Sequence, residues 1–270
     1  ALGLAADHKP LRGSDPVRVP KNIAFCDVLT QQGFAQRKAA RETDLDSEIS
    51  ATRESIKSLT QAATKGGWDF KTQTFDANQW SATDIDHAKD RTAFALATLC
   101  YVEGRLAGGS SRPGLRGKKL EEAQRHGKNA ISLVKGTHTA TEAITLHFFA
   151  LTLVCLLESM MLDSSPEREK TIVRVAKKVI KHEDNAAEIL QDGDYGLRGK
   201  RTLADCWAGS SKAYETLAKC SDGASRERYL KHAVVSLKNS VELTGACYGP
   251  QHPDTLQRKV RLEKLQADLG

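Results

Sequence analysis

The amino-acid sequence predicts an all-α protein, and three observations carry the prediction. Apolar residues recur at alternating steps of four and three over most of the chain, the spacing that lines one face of an α-helix. Helix starts with Ser, Asp or Pro and helix stops with Gly punctuate these runs. No window alternates apolar and polar residues for long enough to make a strand.

The elements follow in order. Residues 1–22 carry Pro10, Pro16 and Pro20 among His8, Lys9, Arg12, Arg18 and Lys21, an extended basic arm unable to form a core. Residues 23–67 hold N-terminal helices, the clearest marked by the seam Leu45, Ile49, Thr52, Ile56, Leu59 and Ala63 and ended by Gly66-Gly67. Residues 68–80 break the pattern with Trp68, Phe70, Phe75 and Trp80, read either as a loop pinned to the helical body or as anchors that dock a protein partner. Residues 81–270 form the main helical domain. Ser81-x-x-Asp84 opens a helix that runs through Leu96, Leu99, Val102 and Leu106 to Gly108-Gly109. Further helices are expected at about 118–134, 139–162, 166–191, 200–219, 226–247 and 254–268. The sharpest start is Ser165-Pro166-Glu167: Ser can cap, Pro fits the first turn, and Glu meets the helix dipole.

Size and composition fit a globular protein. The 270 residues are 40% hydrophobic and 27% charged, enough to build a core without metal or disulfide support. A net charge of +6 favours an acidic partner weakly. Cys26, Cys100, Cys155, Cys206, Cys220 and Cys247 are too far apart for a local CxxC clip or zinc knuckle, and they read as reduced thiols. With no Asn-x-Ser/Thr sequon and no signal-peptide pattern, an intracellular setting is expected: cytoplasm, nucleus or organelle interior. The start at Ala1 fits a processed or Met-trimmed chain, and a removed transit peptide stays open.

Ala143–Leu157 is nearly continuous apolar sequence bounded by Glu142 and Glu158. It falls short of the roughly 20 residues of a membrane span, so it is expected to be the central buried helix. His147 within it reads as a hydrogen-bonded core residue, since no second ligand or nucleophile stands beside it in the sequence.

The last seventy residues carry the most specific pattern. Trp207, Ser211 and Tyr214 are spaced by four and three, and Ala233, Leu237 and Ser240 repeat a small-large-small order on the next helix. Small residues there let one helix approach the bulky side chain of another. The turn Tyr248-Gly249-Pro250-Gln251-His252-Pro253-Asp254-Thr255 follows, with Asp254 or Thr255 expected to cap the final helix. Over about residues 200–270 these motifs resemble the extended tetratricopeptide (TPR) repeats of kinesin light chains, and the carboxy-terminal helical domain of SET-and-MYND lysine methyltransferases. The resemblance implies TPR-like antiparallel helical hairpins forming a short solenoid or superhelix. Residues Leu96, Leu99 and Cys100, then Gly127, Ile131 and Val134, match the same pattern loosely. Neither the Asn-His-Ser-Cys segment nor the zinc-binding cysteine clusters of those methyltransferases are found, so only their non-catalytic helical part is matched.

Two basic features are candidate contacts for RNA or an acidic partner. Lys170, Arg174, Lys177, Lys178 and Lys181 fall on one helical arc, where phosphates or an acidic peptide could lie. A basic loop from Arg105 to Lys119 contains Arg112, Arg116, Lys118 and Lys119 without an acid. The pentapeptide Gly-Leu-Arg-Gly-Lys occurs at 114–118 and 196–200, each time expected just before a helix. Neither copy is a Walker loop, because Arg112 and Asp194 stand where its first Gly belongs and Lys119 and Arg201 replace the metal-binding hydroxyl.

Catalysis finds no motif: there is no Gly-x-Ser-x-Gly elbow and no His-Glu-x-x-His helix, and His138/Glu142 and His182/Glu183/Asp184 lack a full set of metal ligands. No catalytic residue, metal site or cofactor is therefore assigned. The expectation is a non-catalytic helical-repeat scaffold or adaptor with a protein partner, probed against an RNA-associated helical protein as the alternative.

Overall fold

A computed structural model describes residues 24, 26, 28–33, 45–108, 113–161 and 166–269. Nearly all of these residues are helical, and the all-α expectation holds. Helix α1 comprises the described residues 24, 26 and 28–33. The others are α2 (Leu45–Lys65), α3 (Ile85–Gly108), α4 (Pro113–Val134), α5 (Ala140–Met161), α6 (Pro166–Asp192), α7 (Gly196–Lys219), α8 (Gly223–Tyr248) and α9 (Pro253–Leu269). The basic arm at residues 1–22 lies outside the described residues.

Each helix packs on the next in sequence. The largest contacts pair α3 with α4, α5 with α6, and α7 with α8, while α9 lies on α8 and α2 on α3. Links as short as residues 193–195 and 220–222 reverse the chain, which forces consecutive helices to lie side by side. Contacts of α5 with α3 and of α6 with α7 join the pairs. Helix α5 therefore has neighbours on four other helices, α3, α4, α6 and α7. It is long and apolar enough to cross a membrane, but here Phe149, Leu153 and Leu157 are buried against Ile172, Val175 and Val179 of α6 and Leu217 of α7.

Close helix approach explains the small residues. At Gly127 of α4 an added Cβ would lie 2.4 Å from Phe149 Cδ2 and 2.7 Å from Cys100 Sγ, so only glycine lets α4 settle against α3 and α5. Farther along, Ala233 and Leu237 of α8 are fully buried with Ala218 of α7 and Leu265 of α9.

Four expectations need correction. The segment after Gly67 contains a small antiparallel pair, β1 (Trp68–Asp69) and β2 (Thr74–Phe75), with Trp68 opposite Phe75. Two residues per strand are too few to leave an alternating signal in the sequence. The second basic feature is not a loop from Arg105 to Lys119: α3 reaches Gly108 and α4 begins at Pro113, so Arg105, Arg116, Lys118 and Lys119 are helical, and Arg112 lies outside the described residues. Both Gly-Leu-Arg-Gly-Lys copies, expected just before a helix, accordingly stand inside its first turns. At α9 the cap is neither Asp254 nor Thr255; His252 Nδ1 accepts from the Asp254 N–H at 3.2 Å, and Thr255 Oγ1 instead donates to the Gly249 carbonyl at 3.0 Å.

Candidate functional site

The charged row on α6 is built by a strongly two-sided helix. Ile172, Val175, Ala176 and Val179 face inward and are buried. Lys170, Arg174, Lys177, Lys178 and Lys181 are exposed, and none forms an ion pair or hydrogen bond among the described residues. Five cations on one face repel one another, which an anionic partner would relieve. At the edge of this row, His182 turns inward and meets Phe149 edge-to-face, with ring centroids 5.1 Å apart. Burial, reinforced by Lys181 and Lys178, pushes its pKa down to about 4, so it is neutral at physiological pH. The cations of α4 are separate from this row. Arg116 is half-buried and reaches Ser159 Oγ of α5 at 3.4 Å, whereas Lys118 and Lys119 are exposed.

Three of the four aromatics after Gly67 lie against the helices. Trp68 is buried with Ala62, Ala63, Leu96 and Ala130, and Phe70 and Phe75 pack on the same cluster. Phe70 also meets His126 edge-on at 5.5 Å, and Gln73 Oε1 accepts from Asn129 Nδ2 at 2.9 Å, fastening the hairpin to α4. Trp80 is half-buried.

The repeat-like positions meet between α6, α7 and α8. Trp207 is half-buried near Ala143, Leu146 and Ala187. Ser211 is fully buried, and the Tyr214 ring stacks on His232 at 5.1 Å. Ser240 is also fully buried and donates to the Ala204 carbonyl at 2.7 Å, so α8 is hydrogen-bonded to α7 through a side chain rather than merely packed on it.

Arg258 of α9, a residue that sequence reasoning passed over, closes this junction. Its guanidinium donates to Ala204 O at 3.0 Å, Ser240 Oγ at 2.6 Å and Thr244 Oγ1 at 2.8 Å, and pairs with Asp205. One planar, fixed charge thereby satisfies acceptors on two helices at once. Arg261 similarly pairs with Glu215.

A buried polar group lies at the centre of the chain. His147 Nδ1 of α5 is 2.8 Å from Glu183 Oε2 of α6, and the Cys206 thiol of α7 is close enough to hydrogen-bond the same carboxylate. His147 is 4% exposed, and Glu183 and Cys206 are not exposed at all. Burial opposes charge on His147, but the Glu183 carboxylate outweighs it and raises the imidazole pKa. Burial raises the Glu183 pKa, with His147 acting against that shift. The Cys206 thiol is pushed well up by burial and then by Glu183. The other acid pairs noted in the sequence do not converge this way: Glu142 is engaged by the backbone N–H groups of Gly136 and His138, both at 2.8 Å, and Asp184 accepts from Ser210 Oγ.

Comparison with protein-family models, with curated proteins and with solved structures gives no match to this chain.

Proposed function

We propose that this chain is a non-catalytic helical scaffold of TPR-like hairpins that holds a protein partner, as a subunit or adaptor of a larger assembly. The observation that carries the reading is the consecutive side-by-side packing of α2 through α9, joined through α5 and α7. A stack of this kind buries one side of each helix in its neighbours and leaves long outer faces for a partner. Ser211, Ala233, Leu237 and Ser240 support it as fully buried groups where α7 and α8 meet, with Tyr214 stacked on His232 across the same contact.

The exposed cations Lys170, Arg174, Lys177, Lys178 and Lys181 of α6 favour a second reading, an RNA-associated helical protein. Phosphate contacts by five such groups would weaken steeply as salt rises. Arg174, Lys177 and Lys178 changed together to Glu separate the two readings. The scaffold reading expects protein binding to survive the change and to depend shallowly on salt. Loss of RNA binding with no protein bound by either form would favour the second reading.

A further inference from the structure

His147, Glu183 and Cys206 present a nitrogen, an oxygen and a sulfur donor from three helices, all within 4.8 Å of one another. A plain His147–Glu183 ion pair would explain only part of this arrangement. It leaves Glu183 Oε1 buried without a well-formed hydrogen bond, an unfavourable state for a polar group cut off from water. That oxygen lies against α7 at Gly209, where an added Cβ would fall 2.2 Å from Oε1, so only glycine lets the carboxylate come this close to the helix. Cys206 and Gly209 are one turn apart on α7, so the same helical face supplies a thiol and admits the carboxylate.

We propose that His147, Glu183 and Cys206 form a site for one divalent transition-metal ion of the zinc type, which ties α5, α6 and α7 together. The donor set selects the class. A thiolate with an imidazole suits zinc or cobalt, whereas calcium and magnesium prefer oxygen ligands throughout. Tetrahedral donors at usual zinc distances stand about 3.3–3.8 Å apart, so the His147–Glu183 contact opens by roughly half an ångström as the ion enters. Charge balances as well. A divalent ion with one carboxylate, one thiolate and a neutral imidazole is neutral overall, and the ion displaces two protons, one from the thiol and one held between His147 and Glu183. A neutral group is what a fully buried position tolerates best. The inference is independent of the scaffold reading, since either partner class is compatible with a metal-stapled core.

Cobalt is the probe. The chain is unfolded in chelator, refolded with Co2+, dialysed, and read by elemental analysis and absorption spectroscopy. One Co2+ per chain is expected, with a thiolate-to-cobalt charge-transfer band. Cys206→Ser removes the band and weakens binding by at least about ten-fold, while Cys155→Ser, a buried thiol on the far part of α5, changes neither. Zn2+ raises the melting temperature of the unaltered chain but not of Cys206→Ala, which serves if the serine variant does not fold. A refolded chain that retains no Co2+ or Zn2+, or a Cys206→Ser chain that keeps both band and stoichiometry, overturns the proposal.

Discussion

His182 shows how one partly exposed side chain contributes to the acid response of the fold. Its pKa falls from 6.5 to about 4 on folding, because burial and two neighbouring lysines disfavour the imidazolium. The unfolded chain therefore binds a proton that the folded chain refuses. Stability from this group is complete above pH 6.5 and is lost as pH drops from 6.5 towards 4, by about 2 kcal/mol after allowance for solvent screening. His182→Gln is expected to flatten the pH dependence of the urea midpoint over that window; parallel curves for both proteins would refute the assignment. At the α7–α9 junction, Arg258→Ala removes the donor to Ser240 Oγ and Thr244 Oγ1 and the partner of Asp205, and is expected to cost about 2–4 kcal/mol. Arg258→Lys recovers only part, because an ammonium cannot reach the same acceptors in one plane. Equal urea midpoints for all three forms would show that the network contributes nothing. At this scale the sequence was partly legible. Leu59, Ala63, Leu96 and Leu99 are buried as their spacing requires. The meeting of His147, Glu183 and Cys206 was not legible, since three residues on three helices converge only through packing.

At the scale of the element, glycine has opposite effects at two places on α4. Gly127→Ala forces a methyl group into Phe149 and Cys100, and is expected to cost about 1–3 kcal/mol despite the helix-propensity gain of about 1 kcal/mol. Gly117→Ala meets nothing within 4 Å and should stabilise by about 0.5–1 kcal/mol. Thermal or urea unfolding of the pair checks both signs, and a shift in the same direction for both would contradict the packing described for α4. Most helix bounds could be read from capping and periodicity, as at Pro166 and at the stop after Lys65. The starts of α4 and α7 could not. Glycines and cations at 114–118 and 196–200 oppose both helix propensity and the dipole at a helix N-terminus, and tertiary packing overrode them.

For the whole molecule, periodicity predicted helices but could not say which pairs would touch; loop length and small residues narrowed that choice only near α7 and α8. The order of packing now bounds what each region can do. Because Arg174, Lys177 and Lys178 are exposed and form no ion pair or hydrogen bond among the described residues, their joint reversal to Glu should leave unfolding stability at neutral pH within about 0.5 kcal/mol of the parent. A large loss of stability would mean that this face already has a role in holding the fold. The most direct measurement of the scaffold claim is quantitative affinity isolation of the tagged chain from its native cells, performed with and without nuclease, with the recovered proteins counted by mass spectrometry. A protein recovered in constant ratio to the chain, unchanged by nuclease, is the predicted result; recovery of RNA alone, or of proteins that all vanish with nuclease, would contradict it.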